Sequence, residues 1–298
     1  MARSEPATAG LPEEVELRLL RPSDIDAAMR LSAAAGWNQV AADWRIFLDL
    51  GDAYGLATRG DGRLVATAAT LPHGERFAWI SMVLVAADCR RRGFASWLLR
   101  HCVDRLLDRR LVPVLDATPA GRPVYLGLGF HDRWSMRRLV LQRAVRAHDR
   151  SEPGSVLVRP LQAGDWPAIL AYDRAVFGGD RAALLRRLAD RLPRAALVAE
   201  RSGRLEGFLL ARDGRVMTQF GPLAAEDEAT AEALLRQAFL AQGAPLAIDV
   251  ADRHERLGRW LIESGFAVER PLTRMVYGQS GAFDDPARLF AVAGPELG

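Results

Sequence analysis

The residues with the clearest chemical potential form a basic, glycine-containing turn between an apolar strand and a helix. The strand ends at residues 83–85, the turn runs from Arg90 to Ala95, and apolar residues at helical spacing follow from Trp97. The first N–H groups of a helix have no partner within it and lie at the positive end of its dipole. A glycine lets an anion approach the backbone. The pattern therefore predicts a site for a phosphorylated ligand.

A second motif follows further along the chain. Residues 112–117 predict the next strand, and Tyr125 lies four residues before Gly129 and Phe130. The turn, Arg-x-x-Gly-x-Ala, and this Tyr-x-x-x-Gly-Phe segment together resemble the acetyl-CoA signature of the GNAT acyltransferases. The resemblance implies an α/β fold, with a mixed, mostly antiparallel central sheet that has a V-shaped splay and is flanked by helices.

The resemblance also implies an activity and its cofactor. We expect acetyl-CoA to donate its acetyl group directly to a primary amine of a small molecule within a ternary complex. Tyr125 is expected to protonate the departing CoA thiolate as a general acid. The strand end is expected to hold the pantetheine arm and the turn the pyrophosphate. The expected cofactor-binding residues are Val83, Leu84, Val85, Arg90, Arg91, Arg92, Gly93, Phe94, Ala95 and Ser96.

The general base is not defined by these motifs. Many members of the family carry a glutamate on the strand that leads to the turn, and Trp79 occupies that place here. The candidates nearby are Glu75, Ser81 acting through a water, His73 and Asp43. Recruitment of an amine that is already neutral is a further alternative.

Three residues are expected on the acceptor side of the site, namely Trp37, Asn38 and Trp79. Trp37 and Asn38 lie between the first two predicted helices, where the family generally forms this wall. Indole and amide groups bind aromatic or cationic amines. The alternative for Trp37 and Trp44 is that both indoles only anchor helix packing.

The chain repeats its own plan. The predicted order in the first half is strand, two helices, three strands, helix, strand, helix, and a last strand over residues 134–142. Three landmarks recur at offsets of 138, 141 and 136 residues: Arg21-Pro22 as Arg159-Pro160, Gly62-Arg63-Leu64 as Gly203-Arg204-Leu205, and Gly129-Phe130 as Gly265-Phe266. This regularity predicts a tandem duplication. The expected divisions are a flexible leader (1–14), an acetyltransferase domain (15–146), a linker (147–154) and a degenerate second domain (155–298).

The second copy lacks the residues that the chemistry needs. Residues 220–228 are expected at the place of the phosphate turn, where Pro222 removes an N–H and three acids oppose a polyphosphate. Leu261 stands where the first copy has tyrosine. We therefore expect no cofactor there, and a fused copy favours a monomer built as a pseudo-dimer, or a weak homodimer.

Composition excludes several other classes. The 298 residues are 49% hydrophobic and 26% charged, as is usual for globular proteins. All 40 basic residues are arginine, which suggests a GC-rich bacterial genome, and they are scattered among acids, which argues against nucleic acid as a partner. Without an apolar run long enough for a membrane span or a secretion signal, a cytoplasmic location is expected. Cys89 and Cys102 predict neither a disulfide framework nor a metal site.

Two other functions remain open at this stage, besides a protein or nucleic-acid interaction module, which the scattered charges do not favour. The first is a non-catalytic acyl-CoA-binding sensor, which the missing glutamate allows. The second is a protein or peptide N-acetyltransferase, because loops decide the acceptor in this fold.

Overall fold

A computed structural model describes residues 10–143, 156–278, 281 and 283–298. The predicted linker and most of the predicted leader lie outside the described residues. The exact domain boundaries therefore stay a prediction.

The first half has the element order that the sequence predicts. Alternating apolar residues form the strands, and helical apolar spacing forms the helices. The last strand begins at Phe130, four residues earlier than predicted. The elements are β1 (Val15–Leu19), α1 (Ile25–Ala34), α2 (Ala41–Leu50), β2 (Asp52–Thr58), β3 (Leu64–Pro72), β4 (Phe77–Val85), α3 (Phe94–Asp108), β5 (Val112–Ala117), α4 (Arg122–Leu126) and β6 (Phe130–Leu141).

The second half repeats this order and adds one short strand. Its elements are β7 (Leu157–Pro160), α5 (Trp166–Phe177), α6 (Ala182–Arg191), β8 (Leu197–Arg201), β9 (Arg204–Arg212), β10 (Thr218–Ala225), α7 (Glu228–Ala241), β11 (Leu246–Ala251), α8 (Glu255–Glu263), β12 (Ala267–Tyr277) and β13 (Leu289–Ala291). The α/β fold class and the duplication are thus confirmed. No helix in the described ranges is both long and apolar enough to cross a membrane.

The two halves exchange their last strands within one continuous sheet of thirteen described strands, most of them antiparallel to their neighbours. Strand β12 of the second half pairs with β5 of the first, and β6 of the first half pairs with β11 of the second. The exchanged strands also pair with each other along almost their whole length. The centre of the sheet therefore belongs to both halves.

Helices cover both faces of this sheet. On one face, Trp44 of α2 and Leu184 of α6 share a single apolar core that runs across both halves. On the other face, α3 and α7 each cover a separate core, with Leu98 and Leu234 among their buried residues. The continuous core and the exchanged strands join the halves into one packed unit.

Two buried ion pairs hold the exchanged strands at matching positions. Arg138 of β6 lies opposite Asp249 of β11, and its Nε and Nη2 donate to the carboxylate at 2.8 and 2.7 Å. Arg274 of β12 lies opposite Asp116 of β5 in the same way, at 2.9 and 3.0 Å. The Arg274 guanidinium also stacks on the Trp79 ring. Burial raises the pKa of Asp116 although Arg274 opposes the shift.

Replacement of one partner in such a pair should destabilise the protein strongly. Arg274→Met leaves the Asp116 carboxylate buried without a cation, and we expect the free energy of unfolding to fall by about 3–5 kcal/mol in urea denaturation. The double variant Arg274→Met/Asp116→Leu should recover part of this loss, because the buried Asp284 side chain also loses its contact with Arg274. Arg174→Met, which breaks an exposed pair with Asp180, is the control and should cost less than about 1 kcal/mol. Equal losses in the single and double variants would contradict this account.

Candidate active site

The central strands of the first half open into a V. Strands β4 and β5 pair in parallel only from Phe77 to Trp79 and from Val112 to Val114, and diverge beyond these residues. A bulge in β4 lies at the opening, where Met82 has a φ of +54° and the register with β3 shifts. The Thr67 hydroxyl donates to the Met82 carbonyl oxygen at 2.8 Å and fixes the bulge. Backbone groups on the open side of β4 are thereby free from pairing with β5.

The predicted phosphate turn lies at the end of β4. Gly93 has a φ of +81°, and no side chain caps the first turn of α3. The Arg92 side chain is held by Glu14, whereas Arg90 and Arg91 are exposed and form no ion pair with the described residues. Uncapped N–H groups, a left-handed glycine and two available guanidinium groups suit a pyrophosphate. A Cβ added at Gly93 would meet no atom within 4 Å, so the cradle is open.

A cavity of about 290 Å³ begins where β4 and β5 separate. Ser81 and Val83 of β4, Leu115 of β5 and Tyr125 line it from the first half. The second half closes it with Val216, Met217, Glu269, Arg270, Leu272, Pro295 and Glu296. Residues of both halves thus form the wall of the cavity.

Two of the predicted catalytic residues meet in this cavity. Tyr125 is half-buried on α4, and burial raises the pKa of its phenol. Ser81 is 8% exposed, and its Oγ has no hydrogen-bond partner among the residues that the structure describes. The site thus combines a protonated phenol with an unpaired hydroxyl, beside a strand edge that ends in an anion-binding turn.

Comparison with known proteins assigns both halves to one family. Residues 27–130 match the acetyltransferase (GNAT) family, and residues 169–291 match an acetyltransferase (GNAT) domain. Both halves of the chain belong to the GNAT family. This chain is 24% identical over 284 residues to YitH of Bacillus subtilis, an uncharacterised N-acetyltransferase. The alignment covers 95% of this chain and 98% of YitH. Because both of its halves belong to the GNAT family, this chain is an acyltransferase.

Solved structures share the whole tandem fold. A protein from Pyrococcus horikoshii superposes with a TM-score of 0.79 at 19% identity, covering 99% of this chain and all of that one. A tandem GNAT protein from the clavulanic acid biosynthesis pathway has a TM-score of 0.63 at 15% identity, over 90% of this chain and all of its own. At these identities the similarity concerns the fold.

The second GNAT domain has the same opening, but its own chain fills it. Strands β10 and β11 pair in parallel over three residues each, as in the first domain. Strand β13 then enters between them, and Ala291 pairs with Leu223 on one side and with Val250 on the other. The slot that is open in the first domain is thus closed by residues that are at most 1% exposed.

The turn of the second domain also differs from the sequence-based expectation. Pro222 lies inside β10 and not in a turn after it, because residues 220–225 continue as a fully buried strand. Helix α7 begins three residues after that strand, and the Asp227 carboxylate caps it by accepting the Thr230 N–H at 2.7 Å. A carboxylate already occupies the place that an anion would take.

Trp37 and Asn38 both line the cavity, but the Asn38 amide is hydrogen-bonded to the backbone of the second domain. Its Oδ1 accepts the N–H groups of Val216 and Met217 at 2.9 and 3.1 Å, and its Nδ2 donates to the Met217 carbonyl oxygen at 2.8 Å. All hydrogen-bonding atoms of the amide thus hold the second domain against the first. Trp37 is half-buried and remains available as part of the wall.

Trp79 does not line the cavity. It is fully buried, and its ring stacks on the Arg274 guanidinium at 4.4 Å and packs against Phe177. The structure therefore places Trp79 in the core, where it supports the central ion pair and cannot contact an acceptor.

The other base candidates also lie away from the cavity. Glu75 is exposed in the turn between β3 and β4, and Ser81 lies about 13 Å further along β4 from the first strand residue, Phe77. His73 is 1% exposed among aromatic rings, and burial lowers its pKa well below the usual range. The Asp43 carboxylate is buried between Arg191 and Arg212 at 2.5 and 3.0 Å. Of the four candidates, only Ser81 lines the cavity.

Sequence reasoning missed the polar residues that the second domain contributes. Glu269 and Arg270 reach the cavity because β12 crosses into the first half of the sheet. Glu296 arrives on the segment that follows β13. Gln39 lies beside two residues that were predicted, yet its position in the loop before α2 carries no catalytic signature.

Proposed function

We propose that the first GNAT domain is an acetyl-CoA-dependent N-acetyltransferase, which transfers an acetyl group to a primary amine of a small molecule by direct attack in a ternary complex. One observation carries the proposal: the V-shaped opening lies between an uncapped helix N-terminus and a cavity lined by Tyr125 and Ser81. The second domain, whose own opening is filled by β13, serves as the wall of the acceptor site.

The residues around the opening fit acetyl-CoA, which when bound supplies the acetyl group as a thioester. The N–H groups of Phe94, Ala95 and Ser96 hold the pyrophosphate, assisted by the exposed Arg90 and Arg91. The open edge of β4 at residues 83–85 offers backbone groups to the pantetheine arm. This arrangement orients the thioester toward the cavity and lowers the entropic cost of the reaction.

Tyr125 and Ser81 have complementary tasks in the cavity. The phenol of Tyr125 stays protonated at neutral pH because burial raises its pKa. It therefore donates a proton to the departing sulfur. The unpaired Oγ of Ser81 accepts a hydrogen bond from the amine and orients its nitrogen toward the carbonyl carbon.

The enclosure of the cavity favours a small acceptor over a protein. Val216, Met217 and Pro295 of the second domain line a cavity of about 290 Å³, a volume that suits a small molecule. Both walls of the cavity come from a single chain, because the two halves exchange strands within that chain. These features support a monomer as the active unit.

Removal of the Tyr125 hydroxyl should slow turnover and leave cofactor binding unchanged. We expect Tyr125→Phe to lower kcat by about 10²–10⁴-fold, since a general acid is lost. Because burial raises the pKa of this phenol, wild-type activity should show no loss of the acid below about pH 10. Tyr172→Phe, on α5 and outside the cavity lining, is the control for both kcat and the pH profile. Unchanged kcat in Tyr125→Phe would exclude this role.

A carboxylate at the phosphate turn should abolish acetyl-CoA binding. Calorimetric titration of the wild type should give one site per chain, because β13 fills the second opening. Gly93→Glu should weaken binding by at least about 100-fold through repulsion of the pyrophosphate. The matched control is Gly203→Glu, at a glycine of similar φ (+76°) that also has open space around it. Two sites per chain, or equal effects of both variants, would contradict the assignment.

A further inference from the structure

The charged groups around the acceptor cavity carry an excess of negative charge. Ion pairs connect the charged residues that line the cavity to further charged residues behind the wall. Together, the described members of this network are five arginines and seven carboxylates. The pairs are Arg138–Asp249, Arg191–Asp43, Arg191–Asp213, Arg212–Asp43, Arg212–Glu296, Arg270–Glu269, Arg274–Asp116 and Arg274–Asp284. Among the residues that line the cavity itself, Asp116, Glu269 and Glu296 face two arginines, Arg138 and Arg270, so one negative charge is in excess, which favours a cationic ligand.

Gln39 presents an unpaired acceptor to this cavity. Its side chain is 6% exposed, and its Nε2 donates to Glu296 Oε1 at 2.9 Å. Because a carboxylate only accepts hydrogen bonds, this contact fixes the orientation of the amide. Its Oε1 then has no hydrogen-bond partner. A buried oxygen without a donor marks a place where a ligand N–H belongs.

Glu296 has spare acceptor capacity at the same place. Its Oε1 accepts from Gln39 and from Arg212, but its Oε2 has no hydrogen bond with the described residues. The Arg212 guanidinium is shared with Asp43 at 3.0 Å, so Glu296 does not receive its whole charge. The carboxylate is thus held in place and only partly neutralised.

We propose that Glu296 and Gln39, one from each half of the chain, bind the amino group of the acceptor, and that the acceptor is a primary amine that is cationic in solution. The proposal rests on the proposed function, which makes an amine the acceptor. An ammonium group has three N–H donors, and Glu296 Oε2, Gln39 Oε1 and Ser81 Oγ are three acceptors without a partner among the described residues that line one cavity. The bound ammonium loses one proton to solvent water before attack, and the neutral amine that results keeps two N–H donors for these acceptors and a lone pair for the carbonyl carbon. Glu296 is then a specificity-determining residue supplied by the domain with the closed slot.

Steady-state kinetics with matched amines test this subsite. CoA release is measured at neutral pH with putrescine, benzylamine, tryptamine and glucosamine, which are cationic, and with aniline, which is neutral. For the best acceptor, Glu296→Gln should raise the KM for the amine by about 10- to 100-fold through loss of a charge-assisted hydrogen bond. The kcat and the calorimetric Kd for acetyl-CoA should stay near wild-type values, whereas the melting temperature should fall, because Glu296→Gln leaves the buried Arg212 with Asp43 as its one remaining carboxylate among the described residues.

Three further variants separate binding from folding. Glu296→Asp should regain part of the lost affinity because it keeps the charge. Gln39→Met removes the unpaired oxygen and keeps the ion pair of Arg212 with Glu296, and it should raise the same KM by about 5-fold. Glu263→Gln, at an exposed position on α8, removes a negative charge elsewhere and should change nothing.

The outcomes distinguish the subsite from the proposed function. A preference for aniline, or an unchanged KM in Glu296→Gln, overturns the subsite and leaves the acetyltransferase proposal intact. An equal loss for cationic and neutral amines assigns Glu296 a structural role and also overturns the subsite. Acetylation of none of the amines, with acetyl-CoA bound at one site per chain, overturns the proposed function instead.

Discussion

Two buried arginine–aspartate pairs determine how the halves of this molecule are joined. Arg138 with Asp249 and Arg274 with Asp116 occupy equivalent places in the two repeats, and each pair spans the boundary between them. A slip of one residue in either exchanged strand would turn its arginine to the opposite face and leave an aspartate buried alone. The pairs thus specify the register of the exchange as well as its partners.

The acceptor cavity is a consequence of this exchange. Strand β12 enters the first half beside β5 and brings residues 269–272 beneath the opening between β4 and β5. Strand β6 crosses in the other direction and contributes Arg138. A domain of this fold with its own last strand in place would present a different wall. Under the proposed function, the exchange therefore links the stability of the sheet to recognition of the acceptor.

Local patterns in the sequence predicted most of the fold and the cofactor turn. Strand alternation, helical spacing and the glycine at position 93 act over a few residues, so the element order and a left-handed glycine before α3 agree with the sequence, while the cofactor at this turn stays a prediction. Contacts between distant residues were beyond such patterns. Trp79 is buried because Arg274 stacks on it, and Gln39 meets Glu296 across 257 positions of the chain. Pro222 was misplaced because a continuous apolar run does not reveal where a buried strand ends.

Strand β13 makes the two repeats structurally unequal. The same short segment closes the opening of the second domain and leads directly into Pro295 and Glu296 at the cavity of the first. One repeat has lost an opening of its own, while its last residues wall the other repeat's cavity. Under the proposed function, selection on acceptor choice can therefore act on residues 289–296, away from the turn before α3, without changing the residues proposed to bind the thioester. New acceptor preferences can arise in one repeat while the chemistry is preserved in the other.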